Sequence, residues 1–139
     1  MSQENVEIVR RGFTAFTRGD FALFLELLDP DVEWIPFGAT LEGRAYRGHD
    51  GVREWLEGLL TDWEFFVPYA EDFRDRGDRV LVFGHWRARG RASGVELERA
   101  GTWLYDVKGG KIVREQTYTD RAEALEAVGL SEQDAHADS

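Results

Sequence analysis

The chain contains no cysteine among its 139 residues, which excludes disulfides, thiolate metal sites and a cysteine nucleophile. It also lacks an apolar run approaching the roughly 20 residues that span a bilayer. The opening string MSQENVEIVRR has neither the apolar stretch nor the small-residue cleavage site of a secretory leader, so a cytoplasmic location is expected. None of the three histidines has a second histidine or an acid at metal-ligand spacing, and no glycine-rich phosphate loop occurs. No metal and no cofactor are therefore expected. Basic side chains are in deficit: 17 against 27 acidic ones, a net charge of −10. That balance repels phosphate backbones and anionic membranes, so neither nucleic acid nor membrane is an expected partner.

The length fits one domain, placed at residues 1–130, with an apolar-poor tail at 131–139 expected to be disordered. Val6, Val9, Phe13 and Phe16 recur at helical spacing, and after Arg18-Gly19-Asp20 the pattern resumes at Phe21, Phe24, Leu25 and Leu28, with Asp20 as its cap. Asp29-Pro30 is read as the stop of this second helix. Val32, Trp34 and Phe37 alternate as a strand, followed by a glycine-containing loop from Gly38 to Gly48. Asp50 is then placed as the cap of a third helix that buries Val52, Trp55, Leu56, Leu59, Leu60 and Trp63. From there the period falls to two. Turns at Arg76-Gly77-Asp78-Arg79, Ser93-Gly94 and Gly109-Gly110 mark strands at 66–76, 79–92, 95–108 and 111–119, an antiparallel meander closed by a short helix from Arg121 to Val128.

A two-residue turn at Ser93-Gly94 sets Arg91 opposite Glu96, Arg89 opposite Glu98, Arg87 opposite Ala100, His85 opposite Thr102 and Phe83 opposite Leu104. On the other face Trp103 meets Gly84 and Trp86 meets Gly101. The Gly109-Gly110 turn extends the polar face to Glu115, opposite Leu104, and to Thr117 and Thr119. The opposite face carries Val82, Trp86, Leu97, Trp103, Tyr105, Ile112 and Tyr118, too much apolar area to leave in water. Each face thus has a claim on the helices. If they cover the polar face, Trp86, Trp103, Tyr105 and Tyr118 remain for a homodimer interface.

The strings Gly19-Asp20-Phe21, Leu28-Asp29-Pro30-Asp31-Val32-Glu33-Trp34 and Tyr46-Arg47-Gly48 recur in order with Gly84-His85-Trp86-Arg87, Gly110-Lys111-Ile112 and Tyr118-Thr119-Asp120-Arg121. Together they resemble the SnoaL-like branch of the nuclear transport factor 2-like superfamily over about Val6 to Leu130. The resemblance implies an α+β fold: a cone-shaped, curved, antiparallel-rich sheet with three N-terminal helices enclosing a pocket, and often a dimer through the outer sheet face. It also implies a choice among isomerases, epoxide hydrolases, cyclases, dehydratases and non-enzymatic binders, because fold does not dictate reaction. The steroid isomerase pattern fails residue by residue: Ile35 stands for its base, Gly12 for its helix-one tyrosine, and Thr102 or Trp103 for its acid. The epoxide hydrolase pattern is weakened by Arg87-Ala88-Arg89 in place of Arg-x-Asp and by Thr117 in place of the last acid.

The candidate catalytic set is His85, Arg87 and Glu115, with Glu33, Trp34, Tyr46, Thr102 and Thr117 as candidate substrate contacts. His85 titrates near neutrality when unperturbed, or else simply hydrogen-bonds Thr102. Arg87 has no acid directly opposite and is available to an anionic oxygen, or is a solvated strand arginine. Glu115 becomes a base if it faces an apolar pocket, since such surroundings raise a carboxyl pKa. The expected partner is a small apolar or carbonyl-containing ligand, taken up by a cyclase, isomerase or hydrolase, or else by a non-catalytic binding or dimerisation module.

Overall fold

The computed structural model describes residues 2–37, 44–118 and 120–129. The elements run α1 (Ser2–Arg18), α2 (Phe21–Glu26), β1 (Leu28–Ile35), β2 (Tyr46–Arg47), α3 (Gly48–Asp62), β3 (Trp63–Arg76), β4 (Arg79–Gly90), β5 (Glu96–Lys108), β6 (Lys111–Tyr118) and α4 (Arg121–Ala127). The six strands form one sheet in the order β2-β1-β6-β5-β4-β3. All neighbours are antiparallel except β1 and β6. The expected α+β fold is present, with one parallel junction where β1 joins the meander.

The helices form where the spacing places them, with shifted ends. Asp20 caps α2 by accepting from the Leu23 N–H at 3.2 Å. That helix stops at Glu26, so Asp29-Pro30 lies inside β1 and does not terminate the helix. The third helix starts two residues before Asp50, which sits in the first turn and pairs with Arg53 at 2.8 Å instead of capping. Trp63 leaves the helical stripe to open β3. The stretch 38–43, Thr119 and the 131–139 tail, on which a loop, a strand pairing and disorder were expected, lie outside the described residues.

Two irregularities set which side chains share a face. Between β4 and β5 the connection spans Arg91 to Val95 and is not a two-residue turn, so Arg89 pairs with Glu96, Arg87 with Glu98, His85 with Ala100 and Phe83 with Thr102. This is a slip of two residues from the expected register, and a slip of two returns every side chain to its expected face. Arg91, freed from the ladder, donates to the carbonyls of Leu60 and Trp63, each at 3.0 Å, at the end of α3. The size matching of rings to glycines survives diagonally: Gly84 and Gly101 face each other, and the rings of Trp86 and Trp103 close over Gly101.

Between β5 and β6 a bulge leaves Val113 without a ladder partner, as Val107 pairs with Ile112 and Asp106 with Arg114. This slip of one residue inverts the faces beyond it. Glu115 therefore lies opposite Tyr105 and Thr117 opposite Trp103, on the aromatic face, whereas Tyr118 pairs with Thr102 on the other. The helices α1, α2 and α3 cover the aromatic face, burying Val82, Trp86, Trp103, Tyr105 and Ile112 in the main core. Of the aromatic patch expected to serve a dimer, Trp86, Trp103 and Tyr105 are thus interior, and Tyr118 is on the opposite face.

The opposite face is covered in part by α4, whose Ala124 and Leu125 bury Leu81, Phe83 and Leu104. Phe83 and Leu104 form the base of this packing contact and not of a cavity. Asp120 caps α4 through the Ala122 N–H at 2.8 Å. Asp120→Ala is expected to cost about 1 kcal/mol, read as a lower urea midpoint with an unchanged slope.

Candidate functional site

Enclosed between the helices and the aromatic face is a cleft with a floor made by strands. Phe13 and Phe16 of α1, Phe24 of α2 and Trp55 of α3 face Trp34, Trp103 and Tyr105 across it, with Phe66 and Pro68 of β3 to one side. The space not filled by protein atoms, mouth included, is about 460 Å³. A second lobe, lined by Phe37, Leu59, Trp63 and Trp86, shares Pro36, Trp55, Phe66, Trp103 and Thr117 with the first. Ring pairs such as Phe16 on Trp55, stacked at 5.8 Å, and Trp34 against Trp55 at 5.3 Å, fix the walls. Gly12, where the isomerase resemblance puts a tyrosine, leaves the α1 wall without a side chain.

Among the described residues this apolar lining holds one carboxyl group. Glu115 is 1 % exposed. Its Oε1 accepts from the Thr117 hydroxyl at 2.5 Å, and its Oε2 is buried with no hydrogen-bond partner. Burial pushes the carboxyl up to about 8, outweighing the Thr117 hydrogen bond, the Arg114 charge and the Ile35 amide, which all pull it down. Burial thus favours the neutral acid here at pH 7. Tyr105, next to Glu115 in the ladder, has its phenol pushed well above the usual range by burial and then by Glu115, so it too is neutral. A buried polar atom left unpaired costs about 1–3 kcal/mol. The site carries two: Glu115 Oε2 and Trp34 Nε1.

The expected site residues divide between the two faces. Glu115, Thr117 and Trp34 line the cleft. Arg87 is on the other side of the sheet, and His85, beside Tyr69 of the edge strand β3, lines a separate groove with Arg10, Phe13 and Thr14 of α1. His85 Nδ1 bonds Glu71 at 2.7 Å and its ring stacks on Tyr69, not on Thr102. Arg87 does have an acid opposite, Glu98 at 3.8 Å, and lies over Phe65. Thr102, buried beside Phe83 and Tyr118, also belongs to that side. Glu33 points away from the cleft, held by Arg114 at 2.9 Å and Arg47 at 3.2 Å. Tyr46 pairs with Trp34 across β1 and β2 and packs on the core without lining the cleft. The bulge at Val113 is the physical reason that Glu115 and Thr117 part from His85, Arg87 and Thr102. Tyr105, Phe13, Phe16 and Trp55 were legible as apolar stripes but not as cleft walls, because spacing separates buried from exposed and does not separate core from cavity.

Among the described residues no group of three or more His, Cys, Asp or Glu is placed to hold a metal ion. No described helix is long and apolar enough to cross a membrane.

Residues 9–115 match the SnoaL-like domain family. An uncharacterised protein of Mycobacterium tuberculosis (strain ATCC 25618 / H37Rv) is 31% identical over 122 residues, 85% of this chain and 91% of its own. Among solved structures, an NTF2-like protein of unknown function from Burkholderia pseudomallei superposes with a TM-score of 0.77 at 26% identity, covering 93% of this chain and 99% of its own. An NTF2-like protein from Burkholderia xenovorans gives 0.74 at 28% identity, covering 93% and 98%. With the helix-covered sheet and its cleft in place, these matches make the chain a member of the SnoaL-like domain family.

Proposed function

We propose that this protein is a cofactor-independent enzyme acting by general acid chemistry on a small, largely apolar, carbonyl-containing molecule, with Glu115 as the proton donor. One observation carries the reading: a neutral carboxyl, anchored on one oxygen by Thr117 and unpartnered on the other, lines an apolar aromatic cleft. A positioned acid whose pKa lies near the working pH combines sufficient occupancy of the protonated form with a proton that transfers readily. The surrounding rings keep water from competing for that proton, and they supply the area that binds an apolar substrate. Thr117 fixes the carboxyl rotamer and reserves Oε2 for the substrate. Tyr105 stands beside it as a neutral hydroxyl able to share developing charge on an oxygen.

A panel of polyketide-like ketones, β-hydroxy acids and small epoxides tests the reading. Turnover is expected to fall at least tenfold in Glu115→Gln and to stay within twofold in His85→Ala, outside the cleft lining. Equal turnover in wild type and Glu115→Gln sinks it. A second reading, a non-catalytic binder, draws on the absence of any further carboxyl or histidine among the described residues that line the cleft. Native mass spectrometry separates the two: a ligand recovered unaltered after incubation identifies a binder.

A further inference from the structure

The groove that His85 lines lies between α1 and the edge strand β3. The two elements run antiparallel, side by side: Asn5 Nδ2 donates to the Gly77 carbonyl at 3.0 Å, and further along the helix the Arg10 guanidinium lies 4.3 Å over the Phe73 ring. Thr14, Thr17 and Arg18, one and two turns on, share that side of α1 and come level with Ala70, Tyr69 and Pro68. Phe73 is therefore toward one end of the groove and Arg18 at the other. About 1100 Å³ of it is not filled by protein atoms, open mouth included.

Two departures from a regular strand shape the β3 wall. Gly84 of β4 makes room for the Tyr69 carbonyl, which stands where a side chain would. One step further, Glu71 has no ladder partner, because Ala70 pairs with Gly84 and Asp72 with Phe83. A bulge of this kind re-aims the side chain it carries. Here it brings Glu71 Oε1 to 2.7 Å from His85 Nδ1, with the His85 ring stacked on Tyr69. Glu71 is the one acid among the described lining residues, and it is committed to a histidine.

The groove is left with positive charge in excess. Arg10 has Glu7 at 3.3 Å and Phe73 beneath it. The Arg18 guanidinium makes no hydrogen bond or ion pair among the described residues. A guanidinium without a partner, beside aromatic surface and in a chain of net charge −10, is complementary to a flat molecule with one negative end. We propose that this groove is a second ligand site, distinct from the cleft, for an aromatic monocarboxylate whose carboxylate pairs with Arg18 and whose ring lies along Phe13 and Phe73. The planar guanidinium fork matches both oxygens of a carboxylate. Arg10, flat over Phe73, extends the surface that receives the far end of the ring. The proposal is independent of the general-acid reading, since of these four residues only Phe13 also lines the cleft.

The test titrates 2-naphthoate and its uncharged analogue 2-naphthamide into the full chain and reads NMR shifts. The chain's three histidines give three imidazole signals, and His85→Gln assigns the one in the groove. With 2-naphthoate this signal and the Thr14 and Thr17 amides are expected to move together and to saturate at millimolar concentration or below, and 2-naphthamide is expected to bind about fivefold more weakly. Arg18→Gln should weaken 2-naphthoate about fivefold, the loss of one exposed charge-assisted pair, and bring the two probes to equal affinity. Arg11→Gln removes the same charge from the same helix outside the groove lining and should change the affinity less than twofold. The comparison of the two probes on the unmodified protein does not depend on any variant's stability. Equal affinity for both probes there, equal losses in Arg11→Gln and Arg18→Gln, shifts confined to cleft residues such as Trp34 and Trp55, or no binding at millimolar concentration overturns the assignment.

Discussion

Glu115→Gln is expected to gain stability over the wild type as pH rises from 5 to 8. The Glu115 carboxyl has a folded-state pKa of about 8 against 4.5 for the exposed group. Between those values the native protein holds a proton that the unfolded chain has released, so the free energy of unfolding decreases by about 1.4 kcal/mol per pH unit. The contribution is complete below pH 4.5, is lost as pH rises through about 8, and is flat above it. Glutamine keeps an oxygen for the Thr117 hydroxyl and does not titrate. The difference between the two proteins should be small near pH 4.5 and reach a few kcal/mol at pH 8, roughly 10 °C in Tm for a domain of this size. Titration of other carboxylates cancels in the comparison. Parallel curves of Tm against pH for the two proteins would show that Glu115 is not held neutral by burial. The same titration governs activity: if the neutral form is the acid, kcat/KM should decline above pH 8.

Gly84→Ala is expected to unfold the protein or cost on the order of 4 kcal/mol. A Cβ at this position would lie 1.9 Å from the Tyr69 carbonyl oxygen, 3.0 Å from its carbonyl carbon and 3.3 Å from the Ala70 Cα. All three are backbone atoms of β3, immediately before the irregularity between Ala70 and Asp72. No side-chain rotation relieves the contact, so the edge strand would have to part from β4 and take with it Phe66 and Phe73, which pack on the core. Gly58→Ala is the control. It lies in α3, where an added methyl group meets nothing within 4 Å, and should stabilise by about 0.5–1 kcal/mol through helix propensity alone. Urea midpoints for the two variants should move in opposite directions. A Gly84→Ala midpoint equal to that of the wild type would show that the strand pair is spaced differently there.

Much of the architecture is legible in the chain because its signals are local. Val6, Val9, Phe13 and Phe16 can share a face only on a helix, Asp20 caps the helix that follows it, and the change to period two after Phe65 marks strands. The β4 and β5 pairing was displaced by two residues because the glycine at 94 serves a longer connection than a tight hairpin, with the Gly94 N–H bonding the Gly90 carbonyl at 2.9 Å. Nothing in Ser93-Gly94 distinguishes these two turns. The parallel pairing of β1 with β6 brings together residues about 80 positions apart, and no turn signal records it.

The sequence by itself determined the helices and the longer strands, their order, the family, and the presence of one acid able to act if buried, but not the short strand Tyr46–Arg47, which falls in the stretch read as a loop. Tertiary structure alone decided which face the helices cover and which residues meet in the cleft. The physical reason is the period of a strand: side chains alternate, so the slip of two at Gly94 moved partners without changing faces, whereas the single unpaired residue at Val113 moved Glu115 and Thr117 through the sheet. A bulge is the local outcome of packing on both faces at once, here Tyr105 and Ile112 under the helices and Tyr118 beside α4. That balance is settled between distant segments, so no stretch of ten residues contains it.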